Sequence, residues 1–200
     1  MKRWAIISVI FITIFAIFIG CQRRESTKEE VYKEFQKKIV TMSSYKCIAE
    51  IEASGNKSSH NYVFIHSYVK PDYYKLEVVE PKNLKGKTME YKGDKVIISN
   101  PDIKDKIELP NMEDNRQYVF IGDFIKNYLQ NEEVNIKLSN NSLILETTIP
   151  GNNKYFNKQI LYVNKDTKNP EKMEILNDEG KPSFTVKYKE FECKSKGDKR

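Results

Sequence analysis

The stretch Tyr118-Val119-Phe120-Ile121-Gly122-Asp123-Phe124-Ile125-Lys126-Asn127-Tyr128-Leu129-Gln130 decides the architecture. Phe120, Phe124 and Tyr128 recur at i, i+4 and i+8, and Ile121, Ile125 and Leu129 form a second row beside them. The two rows predict one helix from about Tyr118 to Gln130. A helix apolar over so much of its circumference belongs in a concavity rather than on a flat face. Its flanks read almost wholly as strand, so a sheet must supply that concavity.

Upstream the pattern has period two. Cys47, Ala49 and Ile51 alternate with Lys46, Glu50 and Glu52, and Gly55-Asn56 marks a turn. Tyr62, Phe64, His66 and Tyr68 alternate with Val63, Ile65 and Val69, so both faces of that strand carry bulk. Lys70-Pro71-Asp72 turns the chain into Tyr74, Leu76 and Val78. Met89 and Tyr91 then lead through the hairpin Lys92-Gly93-Asp94-Lys95 to Val96-Ile97-Ile98, and Ile107 and Leu109 make a short strand. Downstream of the helix come Val134 to Leu138, Leu143 to Ile149, Phe156 to Val163, Met173 to Leu176 and Phe184 to Phe191, separated by Asn-, Gly- and Pro-containing turns. No βαβ alternation occurs, which argues against a parallel sheet. The expected class is α+β: one large curved antiparallel sheet, a half-barrel of about ten strands, wrapped around two helices.

The other helix opens the domain. Thr27-x-x-Glu30 is a capping-box pattern, and behind it Val31, Phe35, Ile39 and Met42 fall on one face, predicting an amphipathic helix from about Lys28 to Ser43. Ahead of it, Met1-Lys2-Arg3 is a basic start, and Ala5 to Ile19 is an uncharged apolar run. As a helix that run covers roughly 22 Å, short of the ~30 Å hydrocarbon core of a bilayer. It ends in Phe18-Ile19-Gly20-Cys21, a small residue before a cysteine, as in a bacterial lipobox. Residues 1–20 are expected to be a signal peptide, with Cys21 lipidated and 21–27 a tether. The domain then spans 28–193, and 194–200 is a flexible tail. An ordinary secretory leader with a chance cysteine, or an uncleaved anchor, is the plainer reading of the same residues. A diacylglycerol on Cys21 would bury two acyl chains, enough for stable anchoring.

Composition narrows the function. The chain has 200 residues, with 34 basic against 28 acidic side chains. Without Lys2 and Arg3 the balance is 32 against 28, a net charge of +4. The signs are interspersed and no run of like charge suggests a nucleic-acid partner. With Tyr 12 and Phe 10 against Gly 8 and Pro 7, the chain has core material, and collagen and disorder are excluded.

Tyr68-Val69-Lys70-Pro71-Asp72-Tyr73-Tyr74-Lys75-Leu76-Glu77-Val78, followed by Gly93-Asp94-Lys95-Val96-Ile97-Ile98-Ser99-Asn100-Pro101, resembles the LolA/LolB-like superfamily of envelope proteins. The order of elements is similar too, from about Lys28 to Phe191. With the lipobox and a Lys/Asn/Ile-rich composition, the sequence looks most similar to the spore-germination lipoproteins of clostridia. That resemblance implies a non-enzymatic protein, lipid-anchored on the outer side of the cell or forespore membrane. It would partner a cell-wall N-acetylmuramoyl-L-alanine amidase acting on cortex peptidoglycan.

The residues themselves offer little chemistry. His60 and His66 lie six apart, roughly 20 Å along a strand, too far for one metal or one dyad. They read as a loop histidine and a half-buried strand histidine. No nucleophile-elbow, zinc-protease or dinucleotide motif is present. No catalytic residue, metal ligand or cofactor is expected. Cys47 and Cys193 are either a disulfide of an exported domain or two buried thiols. The alternative function is a lipid or lipoprotein carrier, whose concave sheet face holds acyl chains. Tyr62, Phe64, Tyr68, Phe120, Phe124 and Tyr128 would then line the cavity, whereas in an adaptor they are core. Either edge of an open sheet could also pair with a second copy to give a homodimer. The sequence assigns no interaction surface.

Overall fold

A capped helix starts the domain. In the computed structural model, which describes residues 26–55, 58–103, 105–110, 118–131, 134–139, 141–151 and 153–195, helix α1 runs Lys28–Thr41. Thr27 Oγ1 accepts from the Glu30 amide at 3.2 Å and Glu30 Oε2 accepts from the Thr27 amide at 2.9 Å, so the box closes as its spacing predicts. The helix ends two residues before Ser43, because Met42 takes an extended backbone and begins the first strand. The leader, Cys21 and most of the tether fall outside the described residues.

Eleven strands follow. They are β1 Met42–Ser54, β2 Ser59–Val69, β3 Tyr73–Glu80, β4 Thr88–Lys92, β5 Lys95–Asn100 and β6 Asp105–Pro110, then β7 Val134–Leu138, β8 Ser142–Thr148, β9 Lys158–Asn164, β10 Pro170–Leu176 and β11 Pro182–Ser195. Helix α2, Ile121–Gln130, lies between β6 and β7. All belong to one antiparallel sheet in the order β6-β5-β4-β3-β2-β1-β11-β10-β9-β8-β7. Two meanders, β1 to β6 and β7 to β11, therefore meet at the β1–β11 pair, and the sheet is open, with β6 and β7 as its edges. The fold is the α+β open antiparallel sheet with two helices that the pattern implies.

That order forces a long crossing. A flat sheet of eleven strands would be about 48 Å wide, and the chain must pass from the β6 edge to the β7 edge. The crossing carries α2 over the apolar face. The inward residues Tyr45, Cys47, Ala49 and Ile51 of β1, Leu143 and Leu145 of β8, Leu161 and Val163 of β9, Met173 and Ile175 of β10, and Val186 and Tyr188 of β11 are all buried. Curvature has visible sources. Lys46 pairs with Glu192 and Ile48 with Lys189, so Cys47 alone opposes Glu190 and Phe191, and Glu190 sits at φ +51°. This is a β-bulge, which bends its strand and tightens the local twist. The two thiols are also settled: Cys47 and Cys193 are both free, and burial pushes the Cys47 thiol up to about 12.

The α2 region departs from its expected bounds in two respects. The helix begins at Ile121, with Phe120 extended as its N-cap. The sheet takes the carbonyls just before it: Gln159 Nε2 donates to Tyr118 O at 2.8 Å and the Tyr188 hydroxyl to Val119 O at 3.1 Å. Its buried stripe is also narrower than two full rows. Phe120, Ile121, Phe124 and Tyr128 are buried, Ile125 is half-buried, and Leu129 is 67% exposed. At the tail, β11 continues through Ser195, two residues past the expected domain end.

His66 is fully buried, not half-buried, and lies within the aromatic packing beneath α2. Its ring is 4.3 Å from that of Phe120, centroid to centroid, and Nε2 is 3.3 Å from the Tyr45 hydroxyl, while Nδ1 has no partner. Burial lowers its pKa from 6.5 to about 3. Between those values the unfolded chain binds a proton that the folded chain does not, so stability rises with pH across that window and is lost as pH falls through it. His66→Gln should shrink the stability difference between pH 7 and pH 4 by up to about 3 kcal/mol, read from urea midpoints at the two pH values. Phe124 is 0% exposed, and Phe124→Ala should cost about 3–5 kcal/mol, visible as a large drop in urea midpoint with an unchanged slope.

Candidate functional site

Histidine chemistry is dispersed. His60 is exposed near the tip of the β1–β2 hairpin, with the Ser58 hydroxyl 3.1 Å from its Nε2, and no described hydrogen bond joins it to a carboxylate. It lies on the same face of β2 as His66, but six residues along. Among the described residues, no group of three or more His, Cys, Asp or Glu side chains could hold a metal ion. Also among them, no helix is long and apolar enough to cross a membrane.

The six aromatics singled out from the sequence separate into two groups. Tyr68, Phe120, Phe124 and Tyr128 are buried, whereas Tyr62 and Phe64 are half-buried at the hairpin end of β2, with ring centroids 6.0 Å apart. Tyr68 packs on Tyr74 at 4.9 Å, Tyr74 on Phe120 at 4.6 Å, and Phe124 on Tyr128 at 5.7 Å. The described rings beneath α2 thus pack against one another, two pairs tilted and one stacked. Burial, with Asp123 as the next cause, raises the pKa of the Tyr74 phenol, whose hydroxyl donates to Asp123 Oδ1 at 3.3 Å.

Two surfaces carry no clear signal in the sequence. One is the β6 edge, exposed at all six residues, where Ile107 is 55% and Leu109 45% open and Ile103 in the preceding turn 65%. The other is a cleft of about 670 Å³ at the rim where β1 and β10 end, lined by Ser54, Lys154, Tyr155, Asn177, Glu179 and Lys181 among others. The pattern predicts a strand from Phe156. In the structure β9 starts two residues later, at Lys158, and Tyr155, outside the expected strand as well, lies in a turn with 51% of its surface open. Its only sequence signal is an aromatic flanked by Asn and Lys in a loop.

The convex face of the sheet is internally paired. Lys172 stands 3.9 Å above the Tyr162 ring and 2.9 Å from Glu174, which also accepts from the Tyr162 hydroxyl at 2.9 Å. Lys158 meets Glu146 at 2.6 Å, and Lys189 pairs with Glu50. Half-exposed pairs of this kind contribute little stability and mainly neutralise the surface.

Comparison with known proteins identifies the group to which this fold and surface belong. The sequence matches the family described as "Sporulation protein YdcC-like" over residues 1–200. A search of the curated proteins returns no match. Among solved structures, the chain is similar to the GerS lipoprotein, determined with the CwlD amidase from Clostridioides difficile, at 66% identity and TM-score 0.55, covering 86% of this chain and 98% of that one. An uncharacterised conserved protein from Thermus thermophilus shares the fold at 14% identity and TM-score 0.50, covering 86% of this chain and 90% of its own. A LolA superfamily protein from Nitrosomonas europaea is 15% identical, with TM-score 0.44, covering 87% and 96%. Matched along its whole length, and two-thirds identical to GerS over most of it, the chain belongs to the YdcC-like sporulation protein family.

Proposed function

We propose that this protein is a membrane-anchored, non-enzymatic lipoprotein. In this reading it binds and activates an N-acetylmuramoyl-L-alanine amidase that modifies spore cortex peptidoglycan for germination. The observation that carries the proposal is the 66% identity to GerS, a lipoprotein solved in complex with the CwlD amidase, over 98% of that chain. The filled concave face supports an adaptor over an acyl-chain carrier, because Phe120, Ile121 and Phe124 have no open surface on which a lipid could lie. An adaptor without catalytic groups acts by favouring the active state of its partner, and can shift that equilibrium only by its differential affinity for the two states. The protein works outside the cytoplasm, held on the cell or forespore membrane through Cys21.

Full-length protein in detergent, mixed with the sporulation amidase of the same cell, should co-elute as a stable complex and raise amidase activity on cortex peptidoglycan. It should release no product alone. Failure to co-elute at micromolar concentrations, together with non-covalently bound fatty acid extracted in addition to the acyl chains on Cys21, would favour the carrier instead. Palmitate should label the wild type, and Cys21→Ala should either free the protein from membranes or leave an uncleaved precursor. Absence of label on the wild type would contradict the anchor.

A further inference from the structure

We propose that the rim cleft around Tyr155 binds the glycan strands of peptidoglycan, as an oligosaccharide of N-acetylated amino sugars. This goes beyond the amidase reading, adding a wall-binding site on the adaptor itself.

The cleft is a built feature. The β8–β9 loop and the β10–β11 turn form it beside the end of β1, and backbone and side-chain bonds lace that loop and turn together. The Asp178 amide donates to Lys154 O at 3.1 Å, the Asn157 amide to Leu176 O at 2.8 Å, and the Ser183 hydroxyl to Tyr155 O at 2.7 Å. The Tyr155 amide donates to Asn153 Oδ1 at 2.9 Å. Within the β10–β11 turn the Asn177 amide donates to Lys181 O at 2.9 Å, and the Lys181 amide to Asn177 Oδ1 at 2.8 Å. Behind the loop, Phe156 stacks on Phe184 at 5.9 Å and packs against Tyr118 at 5.3 Å. A site whose walls are held in this way does not have to order them on binding.

Its chemistry selects the ligand class. At about 670 Å³ the cleft lies within the ~300–1,000 Å³ range of small-ligand sites. Its charges balance, with Lys154 and Lys181 against Asp178 and Glu179, and Lys181 is 2.7 Å from Glu179. A balanced site has no net pull on an anion or a cation, which disfavours phosphate, teichoic-type polymers and free ammonium groups. It does offer donors and acceptors together: the amide of Asn177, the hydroxyl of Ser54, carboxylates and ammonium groups. Beside them stands Tyr155, an aromatic ring half open to solvent, with the Lys154 ammonium 5.0 Å from its centre. Pyranose rings present an apolar C–H face and a rim of hydroxyl and acetamido groups. A half-open ring beside mixed polar side chains complements that pattern.

Position agrees. The C-terminal half of α1 lies along the opposite rim: Lys70 Nζ donates to the carbonyls of Ile39 and Val40, both at 3.1 Å, and Lys38 Nζ donates to Thr167 O at 2.9 Å. The cleft is separated from that rim by the length of β1, roughly 40 Å for its thirteen residues. The cleft therefore lies on the rim opposite the one where α1 joins β1.

The test is calorimetric titration of full-length protein in detergent with tetra-N-acetylchitotetraose. Saturable millimolar or tighter binding is expected, weakened at least about tenfold by Tyr155→Ala and largely kept by Tyr155→Phe. The melting temperature of both variants should match the wild type, since Tyr155 is half exposed. No binding at about 10 mM sugar, binding untouched by Tyr155→Ala, or binding of a free stem peptide in place of the sugar would each overturn the proposal. Co-elution of Tyr155→Ala with the amidase, measured in parallel, separates the two readings. Lost sugar binding with an intact complex in Tyr155→Ala concerns the cleft alone, and wild-type protein that binds the sugar but forms no complex refutes only the amidase role.

Discussion

The whole structure depends on one constraint: the chain leaves the sheet at one edge and must re-enter at the other. β6 and β7 stand at opposite ends of the eleven-strand order, so the connection between them must cross the sheet, and Phe120 together with α2 packs on its apolar face. Its contacts reach both meanders. On the first, Gly122 passes so close to Tyr74 that a Cβ would lie 2.8 Å from the phenol oxygen, and Asp123 accepts from that same hydroxyl. On the second, Asn127 Nδ2 donates to Thr148 O at 2.9 Å and to Gln159 Oε1 at 3.2 Å. Gln159 is 0% exposed, and this bond, with the one to Tyr118, pairs both ends of its amide, as burial of a polar group requires.

The β1–β11 pair is the complementary element, since it is where the two meanders join. Thirteen and fourteen residues long, these strands are the sheet's longest, and their bulge at Glu190 and Phe191 bends the sheet toward the helices. Phe191 stacks on Tyr45 at 5.1 Å, and Tyr45 in turn contacts His66, so the bulge feeds directly into the aromatic packing under α2. Helix and bulge thus meet in the same aromatic packing. A helix seated on a flat sheet would touch a few strands, whereas here Phe120 alone meets His66, Tyr74 and Tyr91.

Much of this was legible in the sequence because it rests on periodicity. The alternation from Cys47 to Ile51 and the repeats at Phe120, Phe124 and Tyr128 are local signals, and each named its buried face correctly. Leu129 shows where such reading stops. A row of apolar residues states that one face is available for burial, while only the neighbours decide how wide that face becomes. The start of α2 was hidden for a similar reason, since Gln159 and Tyr188 claim its preceding carbonyls from 41 and 69 residues away. Tyr155 was hidden most deeply. Nothing in Asn153-Lys154-Tyr155 distinguishes a ring beside a cleft from one in a strand, because the cleft exists only once three separate connections converge.

The packing of the described core bears on where function can reside. Tyr68, Phe120, Phe124 and Tyr128 bury their rings and leave little of their own surface for a ligand. Among the described residues, three exposed features lie at the periphery: the β6 edge with its exposed Ile107 and Leu109, the rim beside α1, and the rim that holds the cleft. These three regions face different directions. With six residues between Cys21 and α1, an extended tether reaches at most about 20 Å. In the adaptor reading such a tether would have a physical use. A lipid on Cys21 would limit diffusion to the membrane plane, so that a partner enzyme would be met at a raised local concentration.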